Sequence, residues 1–127
     1  MRDPKNPVGE RVERKLAGAG STTNTGGMTL DVLVTPDQYL IEVDVPGIAA
    51  DDIKLSIEDG ELTIEAVRRR PEQAAPRKDY AFIERKFGEI TRTISLPGMY
   101  GSIAAKTLAD GVLTIAVGRK GAHEQLS

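Results

Sequence analysis

The stretch Leu108-Ala-Asp-Gly-Val-Leu-Thr-Ile-Ala-Val117 constrains the fold more than any other part of the chain. Asp110-Gly111 separates two apolar segments, and Asp-Gly is a strong hairpin signal because both residues tolerate positive φ. Beyond it Leu113, Ile115 and Val117 recur at every second position, which is the period of a strand with one buried face. Ile57-Glu-Asp-Gly-Glu-Leu-Thr-Ile-Glu-Ala-Val67 is a close copy. Convergence rather than duplication is the reading, since Asp-Gly hairpins with β-branched flanks look alike. Each hairpin needs a second sheet to cover it.

The same alternation runs through the rest of the chain. Leu30–Val34 reads as a short strand, Pro36-Asp37 as a turn, and Ile41, Val43 and Val45 as one face of a strand ended by Pro46-Gly47. Asp51 and Asp52 fall in a connection able to hold a short helical turn. Ile53, Leu55 and Ile57 alternate before the first Asp-Gly, and Leu62, Ile64 and Ala66 after it. Ile90, Ile94 and Leu96 share a face with Arg92, and a cation in an apolar row must find an acceptor or a partner chain. Pro97-Gly98 ends that strand. Seven or eight short strands, no convincing helix and regular turn signals indicate an all-β, antiparallel β-sandwich with Greek-key connections.

Arg68 to Asp79 breaks the pattern with Arg68-Arg69-Arg70, Pro71, Pro76 and Arg77-Lys78. Its basic residues suggest phosphate contact, but Glu72, Asp79 and Glu84 dilute them, and a solvated loop is the reading. Residues 1–28 read as a flexible arm, with a run of Gly, Ser, Thr and Asn from Gly18 to Gly27. Val8, Val12 and Leu16 are spaced by four, so a short amphipathic helix that docks on a partner is the functional alternative to disorder. Residues 29–118 form the domain, and 119–127 a polar tail.

Composition excludes several kinds of chemistry. The 127 residues contain no cysteine, which rules out disulfides and thiolate metal sites. The only histidine, His123, lies in the tail, no phosphate-binding Gly-x-x-x-x-Gly-Lys motif occurs, and three clustered metal ligands cannot be named. Asp51-Asp52 and Glu58-Asp59 imitate carboxylate pairs, yet adjacent strand residues point to opposite faces. An enzyme is not expected, and neither is a cofactor or a metal. A net charge of −2 gives no pull toward nucleic acid. No apolar run approaches a membrane span, so the expected location is cytoplasmic.

Several pieces stand in a telling order: Val45-Pro46-Gly47 with Asp52-Ile53, then Asp59-Gly60-Glu-Leu62-Thr-Ile64. Glu84-Arg85-Lys-Phe87-Gly88 runs on to Leu96-Pro97, and Ala105 precedes Asp110-Gly111-Val112-Leu113-Thr-Ile115. Together, over Leu30 to Val117, they resemble the small heat-shock protein family and its immunoglobulin-like α-crystallin domain. The resemblance implies an ATP-independent holdase that binds partly unfolded client proteins, prevents their aggregation under stress and passes them to ATP-driven chaperones. It implies a homodimer by loop exchange: the loop Arg70–Phe82 crosses over, and Tyr80–Phe82 pairs with the partner's Leu30–Val34 edge. The implied dimer contacts are Leu30, Val32, Val34, Tyr80, Phe82 and Arg92, with Glu72 or Asp79 as a partner for Arg92. The implied client or peptide groove lies between Ile53–Ile57 and Ala104–Leu108, lined by Leu55, Ile57, Ala105 and Thr107, with plain core packing as the alternative for each.

Two features depart from the family. The tail from Gly118 to Ser127 lacks the Ile-x-Ile/Val motif, and the first aromatic residue is Tyr39. Both favour a dimer or small assembly over large particles. The competing reading is a CS-domain-like co-chaperone or another specific interaction module.

Overall fold

Both Asp-Gly pairs turn the chain with positive φ at each residue: 51° and 77° at Asp59-Gly60, 53° and 76° at Asp110-Gly111. This is the type I′ geometry whose twist matches that of paired strands. The computed structural model describes residues 20–21 and 27–119. These residues contain eight strands: β1 (Gly20–Ser21), β2 (Leu30–Val34), β3 (Gln38–Asp44), β4 (Ile53–Glu58), β5 (Glu61–Arg68), β6 (Gly88–Ser95), β7 (Met99–Ala109) and β8 (Val112–Arg119). The Asp-Gly turns join β4 to β5 and β7 to β8, as the sequence predicts.

The strands form two antiparallel four-stranded sheets, ordered β1-β6-β5-β4 and β2-β3-β8-β7. The chain changes sheet between β1 and β2; beyond β2 it does so twice more, between β3 and β4 and between β6 and β7, and β8 inserts between β3 and β7 in Greek-key fashion. Pro-Gly turns mark both later changes. Ile48 N donates to Val45 O, Met99 N donates to Leu96 O, and Gly47 and Gly98 supply φ of 74° and 71°, the type II requirement. A 3₁₀ turn at Ala50–Asp52 fills the connection expected to hold one. There is no α-helix among the described residues.

The core lies between the sheets and follows the alternation. Tyr39, Ile41 and Val43 of β3 meet Leu62, Ile64 and Ala66 of β5, with Leu113, Ile115 and Val117 of β8 beside them. Burial of each large aliphatic stabilises by roughly 1.5–3 kcal/mol before chain entropy offsets it.

Two boundaries differ from the sequence reading. Met28, assigned there to the arm, is fully buried in the core, and Gly20–Ser21 pairs with Ile94 and Ser95 of β6. A segment of glycine and hydroxyl residues carries no periodicity of its own, so its pairing is dictated by the bare edge of β6. Arg68, read as the start of the loop, closes β5 and is buried at 8% exposure, because the phase of Leu62, Ile64 and Ala66 carries it inward. The remainder of the expected arm and tail lies outside the described residues.

Candidate functional site

β4 and β7 are the outer strands of their sheets on the same side of the sandwich, where they touch. Leu55 and Ile57 of β4, with Ile103 and Leu108 of β7, are half-buried against the core. A hollow of about 120 Å³ at this seam is lined by Ala50, Ile53, Lys106, Thr107, Leu108 and Leu113.

Leu55 and Ile57, named for the groove from sequence, are half-buried on β4 at this seam, but neither lines the hollow. Ala105 does not stand where the sequence reading put it, and Thr107 does only in part. In the β7–β8 register Lys106 and Leu108 lie opposite the buried Ile115 and Leu113. Ala105 and Thr107 lie opposite Ala116 and Thr114, on the outer face; Thr107 still borders the hollow. Register shifts between Met99 and Ile103, and between Ile103 and Ala105, reset the alternation. Counting back across the turn from Leu113 would have given the correct phase.

On the opposite side β2 is an outer strand, and no described strand pairs with its free edge. Leu30, Val32 and Val34 are half-buried and face inward. What their strand leaves open is its backbone edge. The loop from Arg69 to Phe87 holds Tyr80, Phe82 and Ile83 at 41%, 82% and 40% exposure. Tyr80–Phe82 is not a strand within the single chain. Cation–π contacts shape this loop: the Arg70 guanidinium lies 5.5 Å from the Tyr80 ring, and that of Arg85 lies 4.8 Å from the Phe87 ring. At exposed positions such contacts contribute about 0.5–1 kcal/mol. A 3₁₀ turn at Arg77–Asp79 bends the loop.

Arg92 sits in β6 opposite Ile64 and is buried. Its Nη1 donates to the Met28 carbonyl at 2.9 Å, so this cation finds an acceptor within its own chain. Burial holds its pKa below the usual arginine value. Glu72 and Asp79, the carboxylates named for it from sequence, are exposed on the loop.

The sequence reading missed two further arginines. Arg68 Nε donates to Pro46 O at 3.1 Å and its Nη1 to Lys86 O at 3.3 Å, tying both ends of the long loop to the Pro-Gly turn. Arg119 Nη1 donates to Thr35 O at 3.1 Å, and its guanidinium lies 5.3 Å from the Tyr39 ring. The Tyr39 hydroxyl donates to the Pro97 carbonyl and so joins the two sheets. Burial lifts the Tyr39 pKa, and the Arg119 charge opposes part of the rise.

The described residues contain no group of three or more His, Cys, Asp or Glu able to hold a metal. No helix among them is long and apolar enough to cross a membrane. What the arrangement offers is apolar surface along a seam, a bare strand edge and an aromatic loop.

Comparison with known proteins agrees with this geometry. The sequence model of the Hsp20/alpha crystallin family matches residues 31–127. A 17.8 kDa class II heat shock protein of Zea mays is 29% identical over 90% of this chain and 75% of its own length. A 17.3 kDa class II heat shock protein of Solanum peruvianum is 37% identical over 68% of this chain and 57% of its own length. This chain thus spans little more than half of some of the curated relatives it matches. A crystal structure of a small heat-shock protein from Xylella fastidiosa superposes with a TM-score of 0.62 at 28% identity, covering 75% of this chain and 87% of that one.

Proposed function

We propose, because the chain belongs to the Hsp20/alpha crystallin family, whose members are chaperones and not enzymes, that it is an ATP-independent holdase. It keeps partly unfolded proteins from aggregating and releases them to ATP-driven chaperones, in the cytoplasm. The observation that carries this reading is the seam between β4 and β7. There Leu55, Ile57, Ile103 and Leu108 remain only half-buried, a hollow opens beside Ile53 and Leu108, and an extended apolar segment fits between two strand edges. Apolar contact of this kind accepts many partners.

The working unit we propose is a dimer or small assembly. Tyr80–Phe82 of one protomer adds to the free edge of β2 in the other, covering two exposed aromatics and an open strand edge together. Arg92, Leu30, Val32 and Val34 support that edge from within. A β-sandwich whose core begins at Met28 then works between an arm and a tail.

Several unrelated heat-labile substrates, warmed with and without the protein in the absence of nucleotide, test the holdase. Suppressed light scattering for most of them is expected. Protection of none, with tight binding to one folded chaperone, would replace the holdase by a specific co-chaperone. Sedimentation of the wild type and of Phe82→Ala tests the dimer, and the variant should dissociate at a protein concentration at least tenfold higher.

A further inference from the structure

The outer faces of the two sheets differ. On the β1-β6-β5-β4 sheet the two central outward rows are polar: Lys54 beside Glu65 and Thr91, and Ser56 beside Thr63 and Thr93. Thr63 and Thr93 are hydrogen-bonded at 3.3 Å. On the other sheet one outward row is apolar across all four strands, with Leu33 opposite Leu40, Leu40 opposite Ala116 and Ala116 opposite Ala105. Leu33 is 55% exposed. The carboxylates of Asp31, Glu42 and Asp44 stand on the same face, and its paired outward positions carry no lysine or arginine. An apolar row on an anionic face fits an amphipathic cationic segment.

The chain contains one. Val8, Val12 and Leu16 recur at every fourth position, and Arg11, Arg14 and Lys15 outnumber Glu10 and Glu13 between them. Its route is short. Gly20 pairs with Ser95, two residues before Pro97, whose carbonyl accepts from the Tyr39 hydroxyl. Tyr39 pairs with Val34, next to Leu33. The described structure therefore begins at the same end of the sandwich as Leu33. β1 and β2 also share a side, since the far edges β4 and β7 meet on the other. The four steps of chain from Leu16 to Gly20 span up to about 14 Å at ~3.3–3.6 Å per residue, and the sheets stand about 10 Å apart.

We infer that residues 8–16 dock on the outer face of the β2-β3-β8-β7 sheet of their own chain. Val8, Val12 and Leu16 lie along the Leu33–Leu40–Ala116 row, and the basic residues face Asp31, Glu42 and Asp44. This surface is separate from the β4–β7 seam and does not depend on the holdase reading.

The absence of cysteine makes the test direct. Two full-length double variants are compared under mild oxidation: Val12→Cys with Leu33→Cys, and Val12→Cys with Thr63→Cys on the polar face. The first pair should form an intrachain disulfide at least tenfold faster than the second, and 0.5 M salt should reduce the difference. Equal rates in the two variants, or no bond in the first, overturn the proposal. A bond found only between chains, shown by mixing isotopically labelled and unlabelled protein, overturns it in favour of a second copy as the occupant.

Discussion

Two open sides flank the sandwich, and they are held in different ways. Where β4 meets β7, half-buried aliphatic side chains close the gap and leave a hollow of about 120 Å³. Where β6 and β1 stand over β2, a directed bond from the buried Arg92 to the Met28 carbonyl crosses the gap. Apolar contact has no preferred direction and accepts a replacement. A buried cation bonded to one carbonyl fixes one geometry and is costly to disturb. The first side is suited to changing occupants, the second to a permanent arrangement.

That contrast can be broken by mutation. The largest effect is expected at Arg92. Arg92→Ala removes the donor and leaves the Met28 carbonyl buried, at a cost of about 2–3 kcal/mol in urea unfolding. A loss below about 0.5 kcal/mol would show that this side is not held by its bond. Leu108→Ala should cost about 1 kcal/mol, because a half-buried leucine loses less than the ~2–5 kcal/mol of a fully buried one. A full core-sized loss there would make the seam part of the core and unavailable to an occupant.

Tyr39→Phe gives a pH-dependent difference. Burial raises the folded pKa above the usual 10.0, so the stabilisation is complete below that value and is lost as pH rises through the folded pKa. Unfolding midpoints measured from pH 8 to 11 should therefore fall more steeply for the wild type than for Tyr39→Phe, and parallel curves would contradict this. The smallest effect is expected at Asp52→Asn. The Arg69–Asp52 contact at 3.0 Å raises the Arg69 pKa but is exposed, and exposed pairs contribute little. An unchanged thermal midpoint is the expected outcome.

Local periodicity made much of the fold legible. Alternating apolar residues and the Asp-Gly and Pro-Gly pairs located β2 to β6 and β8, and the Ile90–Arg92–Ile94 phase revealed the buried cation. Two things escaped the same method. The register shifts in β7 are a property of pairing, not of side-chain order, so Ala105 was assigned to a groove it does not face and Thr107 to one it only borders, while Ile103 and Leu108 were passed over. Arg68 was grouped with its basic neighbours, although the β5 alternation already pointed it inward. Gly20–Ser21 carries no signal that would announce a strand.

The strand order also sets a timetable for folding. β4, β5 and β6 are consecutive neighbours in their sheet, so that sheet can zip as its strands emerge. β3 must wait for β8, whose residues 112–119 are made last among the strands. Until then β3 is paired on its β2 side alone, and a newly synthesised chain offers the ribosome's surroundings its other edge, beside Tyr39, Ile41 and Val43. A member of a chaperone family thus spends its own synthesis exposing a sticky segment.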